Sequence, residues 1–316
     1  MTLSNDIPHI AKQITQHCPK LTTVKNMGLA GNLATWELLM RILEELPEQQ
    51  ASTFRCLGRP FMIRGLNDTG SLFRRQSGTL RDIELAGCLN IDSRAIQVIL
   101  VERRVLEKLI VKRTKDEDLH RSCIKLEDAI KFPWASTRIQ DLQLTITIPE
   151  QPLYRPPNNT EPYYSRPPPT TLSTAEQQQF DNFEALYRQV GALKKLRRLD
   201  LRALYFDPQA HRLISEDFKA SSFPGMLSLS SETTGRPGYL HHFAGLTELK
   251  ILEGSVRVTT KETMMTVGMA EAKWMEEHWP ALMAAHFVGA SIKLPEHLRW
   301  FKEQRDKKGQ KLNLAG

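Results

Sequence analysis

The chain has 316 residues, 41% of them hydrophobic and 25% charged, with a formal net charge of +7. That balance excludes wholesale disorder, and no apolar run approaches the ~20 residues of a membrane span. Residues 1–6 have neither the basic start nor the apolar core of a signal peptide, so a soluble chain in the cytoplasm or nucleus, with no membrane partner, is expected.

In chain order, residues 9–20 read as the end of a helix running into His17-Cys18-Pro19-Lys20, and Leu21-x-x-Val24 as a weak first strand. Residues 33–46 place Leu33, Trp36, Leu39, Met40, Leu43 and Leu46 on one helical stripe, which Pro47 stops. Phe54-x-x-Leu57 is a second weak strand start. It lies 26 residues before Leu80, and Leu80 lies 26 before Leu106.

The clearest stretch is residues 80–111. Leu80-x-x-Ile83-x-Leu85-x-x-Cys88-x-x-Ile91 alternates as a half-buried strand does. Asp92 or Ser93 then caps a helix with Ile96, Ile99 and Leu100 on one face, and Leu106-x-x-Leu109-x-Val111 begins the pattern again. One strand, one turn and one helix fill a period that suits a leucine-rich repeat.

Further strands are expected at Ile139-x-x-Leu142-x-Leu144, Leu196-x-x-Leu199-x-Leu201 and Leu246-x-x-Leu249-x-Ile251, with a last one ending at Phe287. Residues 149–169 hold eight of the 18 prolines and read as a loop or disordered insertion. A helix follows over 173–192, capped by Ser173 or Thr174, with Phe180, Phe183, Leu186, Tyr187 and Val190 on its apolar face; another runs over 270–278. Residues beyond 294 are polar and basic and are expected to fray after Phe301. The resulting division is N-terminal repeats over 1–148, a proline-rich insertion over 149–172, irregular repeats over 173–294 and a basic tail over 295–316.

Chemistry is sparse. Cys18, Cys56, Cys88 and Cys123 stand singly, read as small buried residues and suggest no metal site. The sequons at Asn67 and Asn158 matter only in a secreted protein. His241-His242 read as loop histidines with no carboxylate beside them, and Glu276, Glu277 and His278 as a solvated helix face. Trp274 and Trp279 read as core filling. No catalytic residue, cofactor or metal is expected, and the chain is read as a non-enzyme.

The 80–91 pattern and its helix resemble the cysteine-containing leucine-rich repeats of F-box/leucine-rich-repeat proteins and ribonuclease-inhibitor-like horseshoes. In those repeats Cys-Pro-x-Leu ends a helix and opens a strand, as Cys18-Pro19-Lys20-Leu21 does, with Trp279-Pro280-Ala281-Leu282 a degenerate copy. The proline-rich stretch and Glu-Ala-Lys-Trp-Met-Glu-Glu-His-Trp-Pro-Ala-Leu look like fungal members of that family. The resemblance implies an α/β solenoid that recognises substrates for a cullin-type ubiquitin ligase, with ligase components as partners. No F-box is recognisable, because the helix precedes Leu46-Pro47-Glu48 instead of following it; a truncated relative or a repeat-only protein is implied.

In such a solenoid the strand positions between the leucines face a partner on the concave sheet. They are Arg81, Asp82, Glu84, Glu107, Lys108, Ile110, Gln140, Asp141, Gln143, Arg197, Arg198, Asp200, Thr247, Glu248 and Lys250: five bases and six acids. Mixed charge favours a protein partner and disfavours nucleic acid, which needs a nearly all-positive groove. A monomer holding one protein of unknown identity is expected. The alternatives are a binder of nucleic acid or an anionic surface through residues 293–311, whose seven bases and three acids supply four of the seven net charges, and a remnant with no function of its own.

Overall fold

The computed structural model describes residues 6–26, 33–62, 73–89, 91, 93–111, 123–148, 174–207, 212–214, 223, 226–230, 237–254, 256, 267–288 and 293–315. The proline-rich insertion, both sequons, Asp92, Ser173 and the side chains of Leu33, Leu57 and Cys88 lie outside the described residues. The chain is α/β and divides into two compact units, Met1–Thr145 and Ile146–Gly316.

The first unit steps regularly between helix and strand: α1 (Ile7–His17), β1 (Thr23–Lys25), α2 (Leu33–Glu45), β2 (Thr53–Met62), β3 (Asp82–Leu89), α3 (Ser93–Glu102), β4 (Lys108–Ile110), β5 (Ile124–Lys125), α4 (Leu126–Ile130) and β6 (Asp141–Ile148). Strands β1, β2, β3, β4 and β6 are parallel neighbours in that order. Alternation buries Phe54, Cys56, Ile83, Leu85, Leu109, Leu142 and Leu144, and Trp36, Leu43, Ile96 and Ile99 of the helices are buried as well. Trp36 and Phe73 both set ring edges against Phe54, at 6.0 and 5.7 Å between centroids.

The second unit contains α5 (Thr174–Gly191), β7 (Arg198–Asp207), β8 (Arg212–Ile214), a short 3-10 turn (Leu240–Phe243), β9 (Ile251–Gly254), α6 (Met269–His278), β10 (Ala284–Val288), α7 (Glu296–Lys307) and β11 (Asn313–Ala315). Its parallel order is β7, β9, β10, β11, with β8 folded antiparallel onto the far end of β7. Phe183, Tyr187 and Phe243 are packed with Leu199, Leu201 and Leu252 in its core. Gly254 adopts φ +94°, and a Cβ there would collide with the Leu201 carbonyl oxygen, so the end of β9 admits only glycine.

The corners between helix and strand repeat one device. At Cys18 and Trp279 the chain leaves a helix at φ/ψ −123°/63° and −115°/61°, and each N–H closes on the carbonyl four residues back, Ile14 or Met275. The leucine three residues on then donates to the corner's own carbonyl: Leu21 to Cys18 at 3.0 Å and Leu282 to Trp279 at 3.1 Å. Leu196 to Leu193 and Leu246 to Phe243 repeat the bond at 2.9 and 3.0 Å.

Just before β1, β2, β3, β4, β7 and β9, one carbonyl accepts two consecutive N–H groups from the following step. Thr22 receives Ser52 and Thr53, Ser52 receives Arg81 and Asp82, Arg81 receives Glu107 and Lys108, and Glu107 receives Gln140 and Asp141. In the second unit Arg197 receives Lys250 and Ile251, and Lys250 receives Met283 and Ala284.

Side chains reinforce the corners. Gln76 accepts the N–H groups of Gln50 and Ala51 and donates to the Pro47 carbonyl, Ser136 donates to Leu106, and Trp279 Nε1 donates to Phe243. Buried Arg305 donates to the carbonyls of Trp279 and Pro280, both at 2.7 Å.

Several expectations are corrected. The equal 26-residue steps do not hold: Phe54 is the partner of Ile83, 29 residues on, and Ile83 of Leu109, 26 on. Phe54 is therefore an interior strand residue and Ala51 takes the place of Leu80. The basic tail does not fray after Phe301. Leu298, Phe301 and Arg305 lie on one buried helical face of α7, and Leu314 is buried in β11, a signal submerged in the surrounding lysines. Of the cysteines, Cys56 is buried, whereas Cys18 is exposed as the C-cap of α1 and Cys123 is half-buried.

Arg103 follows α3, stacked over Phe73 with its cation 5.9 Å from the ring centroid. It is fully buried, none of its three side-chain nitrogens finds a partner among the described residues, and burial lowers its pKa to about 10. Removing Arg305 orphans buried carbonyls, whereas removing Arg103 deletes an unpaired buried cation. Arg305→Met is expected to lower unfolding stability by about 2 kcal/mol, and Arg103→Met to leave it unchanged or raise it, both read from urea denaturation midpoints.

Candidate partner-binding face

The alternate strand positions, opposite the apolar ones, form the polar face of the strands in each unit. In the first unit, Arg55 Nε donates to Asp82 Oδ2 at 3.1 Å and lies 3.8 Å from Glu84, which also meets Lys108 Nζ at 3.5 Å. Parallel register produces this row, because Arg55 faces Glu84 and Asp82 faces Lys108 across the ladders. One residue before the strands, Glu107 Oε1 accepts from Arg81 at 3.0 Å and from Arg138 at 3.1 Å. Gln143 donates to Asp141 at 2.7 Å.

In the second unit Arg198 pairs with Glu253 at 2.7 Å, and His286 lies 3.7 Å from the same carboxylate. Arg197 pairs with Glu248 at 3.0 Å, and Arg202 donates to Asp200 at 3.1 Å. Lys250 and Thr247 are exposed.

The residues expected to face a partner thus fall into three groups. Arg81, Arg197, Thr247 and Lys250 are exposed. Asp82, Glu84, Glu107, Lys108, Gln140, Asp141, Arg198 and Glu248 are half-buried. Gln143, Asp200 and Ile110 are buried, at 2, 1 and 6% exposure, and offer a partner nothing. The alternating signs, read in the sequence as partner contacts, are largely spent on one another across neighbouring strands.

The sequence reading passed over Arg55, Arg138, Arg202, Glu253 and His286. Thr53-Phe54-Arg55-Cys56 has the same alternation as Asp82-Ile83-Glu84-Leu85, and aligning those two would have placed Arg55 in the row. The alternation Leu252-Glu253 and Ala285-His286-Phe287 carries the same signal. Arg138 stands before its strand, where no alternation points to it.

The other candidates resolve individually. Trp279 is core, as expected, but Trp274 is half-buried and stacks on His278 at 4.2 Å. Glu276 pairs with Lys308, while Glu277 is exposed. His241 is exposed, but His242 is not a free loop histidine: it is half-buried, with Nε2 3.5 Å from Glu184 Oε1 of α5. Among the described residues no group of three or more His, Cys, Asp or Glu side chains is placed to hold a metal ion, and no helix is long and apolar enough to cross a membrane. No protein-family model matches the chain, and no curated protein is significantly similar to it in sequence.

Burial is the leading cause that holds His242 and His297 below the usual histidine pKa; at His242 neighbouring His241 adds to it and Glu184 opposes it. The unfolded chain therefore binds protons at these sites before the folded one does. Their contribution is complete above about pH 6.5 and is lost as pH falls toward and through the depressed folded values. Urea midpoints are expected to fall between pH 8 and pH 5.5, with a smaller fall in the His242→Gln, His297→Gln double variant.

Proposed function

We propose that the chain is a non-catalytic leucine-rich-repeat scaffold that holds a protein partner on the polar face of its parallel strands. The observation that carries this reading is the arrangement of that face. Within each unit its charged side chains stand at fixed register, oriented by neighbours across the strands while part of each stays in solvent. A surface ordered before binding loses less entropy when a partner docks. The repeated corners and shared carbonyls support a solenoid of the horseshoe type, in which such a face is concave. Following the F-box/leucine-rich-repeat resemblance, the partner is a substrate presented to a ubiquitin ligase.

Arg197 and Lys250 are the exposed bases of the second unit's row, and their reversal leaves the Arg198–Glu253 pair intact. Arg197→Glu with Lys250→Glu is expected to abolish retention of a partner that the tagged wild-type chain co-purifies, with the thermal midpoint unchanged. Recovery of a ubiquitin-ligase linker and cullin with the wild type supports the receptor role. Retention of the same partner by the double variant would remove the assignment of this face.

A further inference from the structure

The two signs on the polar face are not at equal depth. In each strand-face pair described above the base is more exposed than its acid: Arg55 over Asp82 and Glu84, Lys108 over Glu84, Arg197 over Glu248, Arg198 and His286 over Glu253, and Arg202 over Asp200. Within these pairs the base is therefore the partner more open to solvent.

Beside Glu107 two bases share one acid. Arg81 and Arg138 both donate to its Oε1, and their side chains are 52% and 50% exposed against 29% for the carboxylate. A guanidinium has five N–H donors in a rigid fork, and among the described residues each of these two spends one. Two cations around one anion leave a local charge of +1, with unused donors turned to solvent. The shared acceptor brings both forks to one spot on the face.

Resting on the scaffold reading above, we propose that Arg81 and Arg138 form a clamp for an Asp or Glu side chain of an acidic protein segment. A carboxylate takes guanidinium donors in pairs, and one negative charge matches the +1 of the clamp. A nucleic-acid backbone is a poorer fit. The adjoining row of Arg55 and Lys108 is cancelled by Asp82 and Glu84, so nothing nearby sustains the string of phosphate contacts on which such binding depends.

The test selects random twelve-residue peptides displayed on phage against the whole chain, then measures synthetic versions by fluorescence anisotropy. The proposal expects selected peptides rich in Asp and Glu. It expects at least a tenfold loss of affinity for their Asn/Gln counterparts and for the Arg81→Gln, Arg138→Gln double variant. Glu107→Gln, which relieves the clamp of its internal anion, should bind as tightly or more tightly. Circular dichroism and thermal midpoints confirm that the variants are folded, since both arginines are half-exposed.

Peptides without acidic bias that are nevertheless lost on Arg55→Glu would overturn the acidic partner while leaving the scaffold standing. Tighter binding of a thymidine dodecamer than of the acidic peptides would overturn it in favour of nucleic acid. Failure to select any peptide that depends on the polar face would remove both.

Discussion

The described architecture depends on one recurring bond arrangement, a single carbonyl ahead of six of the strands that accepts two successive amides from the next step. A carbonyl oxygen has two lone pairs and can serve both donors. It fixes the first residue of the incoming strand relative to the last, and register follows from there. Once Ser52 holds Arg81 and Asp82, Phe54 must face Ile83 and Arg55 must face Glu84. Because side chains alternate along a strand, a slip of one residue would move every leucine to solvent and every charge to the core. The polar rows on the sheet are thus a consequence of backbone bonding.

The corners complete that constraint. Gln76, Ser136, Trp279 and Arg305 each carry a side-chain hydrogen bond from a corner to the backbone of the preceding step. The chemistry varies while the task is constant, which is why no single residue type marks the corner in the sequence. Arg103 occupies a comparable place after α3 with its nitrogens unpartnered among the described residues. That makes it a cost to the first unit, offset only in part by the Phe73 ring beneath it.

Strand and helix placement was legible wherever apolar period and punctuation agreed, as at Leu80, Ile83 and Leu85, at Leu199 and Leu201, and in the helix before Pro47. It failed where one signal was diluted. The face of α7 rests on Leu298, Phe301 and an arginine, and hydrophobic pattern cannot distinguish the buried Arg305 from the solvated Lys302. The first repeat step was misaligned because Phe54 is a better apolar residue than Ala51, whose small side chain fits a corner that Leu80 fills elsewhere. Strand sequence identified which charges share a face. It could not tell that Asp200 and Gln143 are buried or that the arginines overlie the acids, because depth depends on side-chain length and on neighbours from other steps.

The shared carbonyl also governs how this architecture can change in length. Successive anchoring carbonyls are 30 residues apart between Thr22 and Ser52, 29 to Arg81 and 26 to Glu107, and 53 residues separate Arg197 from Lys250. The anchors and the corner side chains hold each step to the one before it, and the unequal distances show that the number of residues between anchors is not itself fixed. Insertions and deletions accumulated over evolution would then be tolerated between anchors while the rows of side chains on the sheet kept their spacing. Related chains can diverge in length and composition until sequence comparison no longer joins them, and still present the same array of side chains.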